Sequence, residues 1–200
     1  MNDPGIHIKE LPQLEKPLLI AGFDGWGNAL NISNGMVSYL IRHFKAQAFA
    51  YLNSDIFYRY DEQRPQVTIE NGLLKTITSP EGSFYAAVTD KNQSDIVILS
   101  AAEPNLRWSH FVDLLFSHCR KLDVGTVVTL GSMYDNVLHT DRTISGVAST
   151  RDMLLKLQKH NVNPISYQGP SAIHSIIQSE GTKRGFICLS LWSHCPYYLQ

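Results

Sequence analysis

Short apolar runs, each followed by small and polar residues, dominate the hydrophobic pattern of this chain. Three of them are rich in Ile, Leu or Val and lie at residues 18–21, 96–99 and 127–130. Such runs are typical of strands buried on both faces of a parallel sheet, and helical patterns after the first two favour strand–helix crossovers. The segments that begin at Gly22, Ser100 and Gly131 are therefore predicted to share one edge of a sheet, where open α/β folds place their crevice.

Other patterns predict that the sheet is mixed. Residues 67–70 and 73–78 flank Asn71-Gly72, the dipeptide most favoured in two-residue hairpin turns, and residues 83–88 predict a further strand. An i, i+3, i+4, i+7 apolar stripe predicts a helix from Trp108 to Leu122. The remaining predictions are strands at 46–52, 165–168 and 186–192, a helix after a cap at Asn28 or Asn31, a helix opened by a capping box at 149–152, and a helix over 171–180 that ends before Gly181.

Length and charge narrow the class of protein. A chain of 200 residues with 44% hydrophobic content predicts one α/β domain over residues 17–200 after an irregular lead-in at 1–16. A net charge of −1 gives no electrostatic case for nucleic acid or an anionic membrane. The apolar runs fall short of the roughly 20 residues of a membrane span. The first residues show no secretory signal, so we expect a cytoplasmic protein.

Cysteine and histidine spacing does not favour a metal site. Cys119, Cys188 and Cys195 form no Cys-x-x-Cys pair, and no His-Glu-x-x-His spacing occurs. We expect no metal and no cofactor, and we expect Cys119 and Cys188 to fill the core.

The first loop, Gly22-Phe23-Asp24-Gly25-Trp26-Gly27-Asn28, has two interpretations. Its G-x-x-G-x-G spacing differs from the dinucleotide fingerprint, and it lacks the Gly-Lys-Ser/Thr ending of a phosphate-binding loop. The favoured interpretation is a tight turn between strand and helix that needs small residues. In the other, glycine amides at the helix start bind a carbonyl group or an anion, although the carboxylate of Asp24 disfavours an anion.

Polar residues after the other two runs complete a candidate crevice. Glu103 and Asn105 could meet a ligand or cap the next helix, and Glu103 could form an acid pair with Asp24. Ser132 follows its strand as a nucleophile could, but without the G-x-S-x-G pattern of hydrolases. His139 opens a polar group that could bind substrate, form an ion-paired loop or line a subunit contact. The crevice candidates are Gly22, Asp24, Gly25, Trp26, Glu103, Asn105, Gly131, Ser132 and His139, and none is assigned as catalytic.

Seven stretches, taken in order and spacing, resemble the family of proteasome assembly chaperone 2 and its archaeal and bacterial relatives over nearly all of residues 18–200. They are Gly22-Phe23-Asp24-Gly25-Trp26-Gly27-Asn28, Arg64-Pro65, Glu103-Pro104-Asn105-Leu106-Arg107-Trp108, Val128-Thr129-Leu130-Gly131, His139-Thr140, Tyr167-Gln168-Gly169-Pro170-Ser171, and Ser190-Leu191-Trp192-Ser193-His194-Cys195-Pro196-Tyr197-Tyr198.

The resemblance implies a three-layer α/β/α domain with a mixed, mostly parallel sheet, similar to the purine nucleoside phosphorylase-like fold. It also implies a homo-oligomer and a proteasome-related protein partner. Two features depart from the family. The chain ends Tyr198-Leu199-Gln200, with Leu where the docking tail of archaeal relatives has Tyr, and many relatives continue further, which predicts a short or truncated member.

Two functional hypotheses remain. The leading one is a non-enzymatic oligomeric binding protein, with Trp26, Trp108, Tyr197 and Tyr198 as candidate anchors; core packing is the favoured role for Trp108. The other is a phosphorylase- or hydrolase-like enzyme, or a small-ligand binder, in which Asp24, Glu103, Ser132 and His139 converge on a substrate.

Overall fold

The chain folds into eleven strands and five helices within residues 5–90 and 94–200, the part that the computed structural model describes. The elements are β1 (Ile6–Ile8), β2 (Leu18–Asp24), α1 (Ile32–His43), β3 (Gln47–Leu52), α2 (Ser54–Phe57), β4 (Gln66–Glu70), β5 (Leu73–Thr78), β6 (Gly82–Ala87), β7 (Ile96–Ala102), α3 (Trp108–Lys121), β8 (Thr126–Asp135), β9 (Ile144–Ala148), α4 (Arg151–Lys159), β10 (Val162–Pro164), α5 (Ile173–Lys183) and β11 (Ile187–Pro196). Short 3₁₀ turns occupy Ala29–Asn31 and Tyr197–Leu199.

Four parallel strands form the centre of a nine-stranded sheet with the order β1-β3-β6-β7-β2-β8-β11-β9-β10. Strand β2 pairs in parallel with both β7 and β8, so that Gly22 lies opposite Ser100 on one side and Leu130 on the other. Strand β11 continues the parallel pairing beyond β8. The prediction that the three apolar segments run side by side in one direction is confirmed. Their carboxyl ends meet at a single border, called here the C-terminal edge.

Antiparallel strands extend the parallel centre on both sides. Strand β6 pairs antiparallel with β7 and with β3, and β9 pairs antiparallel with β11. The mixed sheet expected from the middle of the chain is confirmed. The predicted hairpin also forms, but β4 and β5 make a separate two-stranded sheet outside the main one.

Helices cover both faces of the sheet. On one face α1 approaches so closely that a Cβ at Gly22 would lie 2.6 Å from Cγ1 of Val37. Helix α4 lies on the same face, with Leu157 beside Gly146. On the other face α3 and α5 bury Phe111 and Ile177 in the larger core cluster. The three-layer α/β/α architecture is therefore confirmed, whereas the likeness to the purine nucleoside phosphorylase-like fold stays a prediction.

The first residues of all three predicted loops are in fact strand. Strand β2 continues through Gly22 to Asp24. Strand β7 continues through Ser100 to Ala102, and β8 continues through Gly131 and Ser132 to Asp135. In β8 the strand pairing itself requires a small residue. Gly131 pairs with Trp192 of β11, and the indole ring fills the space that a side chain at Gly131 would need. The apolar runs therefore end before strands β7 and β8 do, because small residues can occupy strand positions where neighbouring groups pack closely.

The lead-in and the 165–168 region differ from prediction. Residues 6–8 form β1, which pairs antiparallel with β3, so residues 1–16 are not wholly irregular; residues 1–4 lie outside the described part. The short strand predicted at 165–168 lies instead at Val162–Pro164, paired in parallel with β9. Both are short edge strands, for which pairing partners decide more than the local pattern.

Helix boundaries shift by one to three residues at three sites. Thr150, and not Ser149, caps α4, with its hydroxyl accepting from the amide of Met153 at 3.3 Å. Helix α5 begins at Ile173, after the predicted start, and runs through Gly181, where Phe116 and Cys188 leave no room for a Cβ. Asn31 occupies the N-cap position of α1 with left-handed backbone and no side-chain cap bond, whereas Oδ1 of Asn28 accepts from the amide of Asn34 in the first turn at 3.4 Å, so the capping bond comes from Asn28. Among the described helices, none is long and apolar enough to cross a bilayer.

Two cysteines fill the core, as predicted. Cys119 and Cys188 are both buried against the α3–α5 side of the sheet. Burial raises the pKa of the Cys119 thiol to about 12 and that of Cys188 to about 11. A thiol with such a raised pKa carries little thiolate at neutral pH and is a poor nucleophile.

Candidate functional site

The loop over residues 24–31, the glycine-rich loop, lies at the C-terminal edge between the ends of β2, β7 and β8. Close packing of neighbouring side chains explains two of its glycines. A Cβ at Gly25 would lie 2.6 Å from Cβ of Glu103, and a Cβ at Gly27 would lie 3.1 Å from both His174 and Trp192. The loop therefore needs small residues to accept neighbouring side chains, in agreement with the favoured interpretation.

Glu103 joins three parts of the chain. Its Oε1 accepts a hydrogen bond from the amide of Ile173 at 2.7 Å, and its Oε2 accepts one from the amide of Trp26 at 3.2 Å. Its own amide donates to the carbonyl of Asp24 at 2.7 Å. The carboxylate thus satisfies the first amide of α5, where the helix dipole favours negative charge. The capping role foreseen for Glu103 exists, but on α5 rather than on α3.

Asp24 and Ser132 also hold the glycine-rich loop. Oδ1 of Asp24 accepts from the side-chain amide of Asn28 at 3.0 Å. The hydroxyl of Ser132 is buried and donates to the carbonyl of Ala29 at 2.8 Å, while its amide donates to the carbonyl of Gly27 at 2.8 Å. These groups gather around one loop, and each is engaged in holding its backbone or side chains.

Asn105 and His139 lie elsewhere. The side-chain carbonyl of Asn105 accepts from the amide of Arg59 at 3.1 Å and so ties down the segment after α2. His139 is exposed, and its amide and Nδ1 both contact the hydroxyl of Tyr198 at 2.7 Å. The expected convergence of Asp24, Glu103, Ser132 and His139 on one substrate does not form.

A cavity of about 680 Å³ opens beside the glycine-rich loop. Its lining is mainly aromatic and apolar and includes no charged side chain. Trp192 and Met133 come from the sheet, and residues 165–172 border the cavity ahead of α5. Three aromatic side chains of the lining remain largely exposed: Trp26 at 63%, Tyr167 at 62% and Tyr197 at 59%.

The aromatic ring around the cavity was only partly foreseen. Gly25, Trp26 and Ser132 of the crevice candidates line it, and Tyr197 was a candidate anchor. Tyr134, Tyr167 and Trp192 were not singled out as site residues. Tyr167 and Trp192 do lie in stretches that carry the family resemblance, and that was the available signal. Trp108 packs against the core instead, as predicted.

Asp24 opens onto a different depression. A polar cleft of about 570 Å³ is lined by Asp24 together with Glu62, Arg64 and Glu81. It shares no lining residue with the aromatic cavity. The structure therefore separates Asp24 from Trp26 and Ser132, and an acid pair of Asp24 with Glu103 does not face a common ligand space.

Ser145, His194 and Asp135 form a hydrogen-bonded row across β9, β11 and β8. The Ser145 hydroxyl contacts Nε2 of His194 at 2.8 Å, and Nδ1 of His194 contacts Asp135 at 2.6 Å. The hydrogen bond with His194 holds the pKa of Asp135 below its usual value. Ser145 is only 3% exposed, whereas the Asp135 side chain is 46% exposed. A hydrolase triad needs the reverse, an accessible hydroxyl and a buried acid, so this row serves to join three strands.

His174 lies buried below the glycine-rich loop, between Phe23 and Trp192. Its Nε2 donates to the carbonyl of Leu130 at 3.0 Å. Burial disfavours the charged imidazolium and lowers the pKa of His174 below its usual value. The neutral ring is therefore the form that this part of the fold accommodates.

Acidification is expected to destabilise the fold through His174. Because its folded pKa lies below the unfolded value of about 6.5, the unfolded chain binds more protons below that pH. The His174 contribution to stability is present above pH about 6.5 and falls as pH decreases, by at most about 1.4 kcal/mol per pH unit. Denaturant unfolding between pH about 7 and about 5 should show a shallower loss for His174→Phe than for the wild type. Equal slopes would contradict this assignment.

The described part of the chain contains no preassembled metal-binding cluster. Within residues 5–90 and 94–200, no group of three or more His, Cys, Asp or Glu side chains is placed to hold a metal ion.

The fold is similar to that of known structures. The proteasome-assembly chaperone homologue of Mycobacterium tuberculosis is similar with a TM-score of 0.83 and 26% identity, covering 91% of this chain and 76% of that chain. A PAC2 family protein from Streptomyces avermitilis has a TM-score of 0.80 and 30% identity, with coverage of 91% and 77%. PbaB of Pyrococcus furiosus, an archaeal proteasome activator, shares the fold at a TM-score of 0.75 and 18% identity, with coverage of 96% and 80%.

Sequence comparison assigns the family. No curated protein matches the chain significantly. The model of the PAC2 family matches residues 19–200, which include the glycine-rich loop, Glu103 and all the strands of the C-terminal edge. The chain therefore belongs to the PAC2 family.

Proposed function

We propose that this PAC2 family member is a non-enzymatic, oligomeric binding protein that acts as a chaperone on a proteasome-related protein in the cytoplasm. Kinship with the Mycobacterium tuberculosis proteasome-assembly chaperone homologue supports the type of partner. The three cysteines are free and buried, in keeping with a reducing compartment.

The observation that carries the proposal is the contrast between engaged polar groups and free aromatic rings at the C-terminal edge. Glu103, Asp24 and Ser132 use their side chains to hold the glycine-rich loop. Trp26 and Tyr197 instead present large, half-exposed surfaces around an uncharged cavity. Tryptophan and tyrosine dominate binding hot spots, because they bury much apolar area with few rotatable bonds. This arrangement suits an apolar or aromatic segment of a protein partner.

Trp26→Ala is expected to weaken partner binding roughly 30-fold, the loss typical of a hot-spot residue of about 2 kcal/mol. The tagged wild-type protein is first used to copurify partners from the native host, and proteasome subunits are sought by mass spectrometry. The affinity of the recovered partner is then measured for wild type and variant.

A matched control separates recognition from general surface loss. Tyr39 lies on α1, away from the cavity, and is 57% exposed. Tyr39→Ala should leave affinity unchanged. If the wild type recovers no proteasome subunit or other stable partner, or if Trp26→Ala binds as well as Tyr39→Ala, the proposal is wrong.

A small-ligand binder is the second candidate, because the cavity volume lies within the roughly 300–1,000 Å³ of ligand pockets. Nucleosides, nucleotides and phosphate are the probes. A ligand at 100 times its Kd would stabilise the fold by about 2.7 kcal/mol. Stabilisation of that size in a thermal unfolding assay, lost in the Trp192→Ala variant, would favour this second function. No stabilisation by any of these probes would support the first function.

A further inference from the structure

The polar cleft beside Asp24 lies apart from the aromatic cavity, on the face of the sheet that α1 covers. It is bounded by the ends of β2 and β7, the start of β6, helix α1 and residues 62–66 around the start of β4. The loops after β2 and β7 lead to helices α1 and α3 on opposite faces of the sheet. Open α/β folds place ligands where the loops of adjacent strands diverge in this way. The cleft volume of about 570 Å³ is in the range that small molecules occupy.

The strand register aligns polar groups on the floor of the cleft. Ser83 of β6 lies opposite Ser100 of β7, and two residues further along β7 Ala102 lies opposite Asp24 of β2. Because paired residues and residues two apart share a face, both serines and Asp24 lie on the side of α1. Helix α1 adds Asn34 and Ser38, which are four positions apart and therefore neighbours on its surface.

Two buried polar atoms of the cleft have no partner in the described part of the chain. Ser83 is 7% exposed and lines the cleft, yet its hydroxyl forms no hydrogen bond with a described residue. The Oε1 atom of Gln63 is likewise buried, and no described residue donates to it. The large majority of buried polar groups in native proteins are hydrogen-bonded. A polar molecule from outside the chain is therefore indicated as their partner.

Unpaired charges in the cleft select the kind of ligand. Glu62 lines the cleft, but its carboxylate is paired with Arg59 at 2.6 Å. Neither Glu81 nor Arg64 forms a salt bridge with a described residue, and Asp24 uses only Oδ1 for a hydrogen bond. Within the described lining, two acids and one base thus remain without a charged partner. They complement a ligand that carries two positive groups and one negative group.

We propose that the polar cleft binds a free basic amino acid, the class of L-arginine and L-lysine. Asp24 and Glu81 recognise its two positive groups, and Arg64 recognises its carboxylate. The cleft shares no lining residue with the aromatic cavity, so this inference does not rest on the proposed function. It also gives a role to Arg64, which belongs to one of the stretches that carry the family resemblance and does not line the cavity.

Calorimetric titration of the full chain with L-arginine and L-lysine tests the proposal. Each amino acid is compared with analogues that lack one charged group: citrulline and norleucine lack the side-chain cation, and agmatine and cadaverine lack the carboxylate. The amino acid should bind about tenfold more tightly than its analogues, the usual effect of one charged hydrogen bond. If neither amino acid binds, or if the analogues bind as tightly, the proposal is overturned.

Variants of exposed residues separate recognition from folding. Glu81→Gln should weaken binding of the amino acid about tenfold, and Glu10→Gln, which alters an exposed acid outside the cleft, should leave it unchanged. Arg64→Gln should weaken binding of L-arginine but not of agmatine, a difference that a purely structural role would not produce. Equal affinities of wild type and Glu81→Gln would contradict the proposal.

Neither experiment requires the cellular partner. Failure to recover a partner therefore leaves this inference intact, and failure of this inference leaves the proposed function intact.

Discussion

Glu103→Ala is expected to lower the free energy of unfolding by about 2–3 kcal/mol, the usual effect of removing a charged hydrogen-bonding group. The variant leaves the amides of Trp26 and Ile173 without their acceptor. It also removes a negative charge from the start of α5. Urea denaturation measures the loss, and hydrogen exchange should show faster exchange at those two amides in particular.

Matched variants test the cause. Glu103→Gln keeps one acceptor oxygen and should recover part of the stability, because its amide group cannot accept from the second donor. Glu81→Ala removes an exposed acid of the same region and should change stability by less than about 0.5 kcal/mol. Equal losses from Glu103→Ala and Glu81→Ala would show that the carboxylate of Glu103 does not join the loop to the helix.

Phe23→Ala is expected to have the largest effect on stability, a loss of about 3–5 kcal/mol. Phe23 is 1% exposed and packs edge-on against Phe111 and His174, at ring separations of 6.1 Å and 5.4 Å. Its removal leaves a cavity directly below the glycine-rich loop. Denaturant unfolding measures the change in midpoint at constant slope.

Trp26→Ala is the comparison for this variant. The two aromatic residues lie three positions apart, yet Trp26 is exposed and Phe23 is not. Trp26→Ala should change stability by no more than about 0.5 kcal/mol, while it weakens partner binding. If both variants lost stability equally, Trp26 would belong to the core, and its role in recognition would need another explanation.

These expected results together would assign separate tasks to the residues at the glycine-rich loop. Phe23 and Glu103 hold the loop in place from below and from the side, and Trp26 is presented outward. A protein that binds through surface aromatics needs such rigid support, because an ordered side chain loses less entropy on binding.

The local sequence pattern was sufficient to predict the parallel centre of the sheet. Apolar runs such as 18–21 are too short for helices and too apolar for exposed strands, so burial on both faces of the sheet follows from composition and length alone. The hairpin at Asn71-Gly72 was likewise predictable, because that dipeptide tolerates the left-handed backbone that the turn demands.

Tertiary structure alone decided the site. Gly131 continues a strand because Trp192, more than sixty positions later, packs on it, and Glu103 caps a helix seventy positions away. No local pattern encodes such pairings. For the same reason Asp24, Ser132 and His139 appeared as partners in chemistry, although two of them brace one loop and the third contacts Tyr198. Residue type and spacing specify secondary structure, whereas contacts between distant segments depend on how the layers pack.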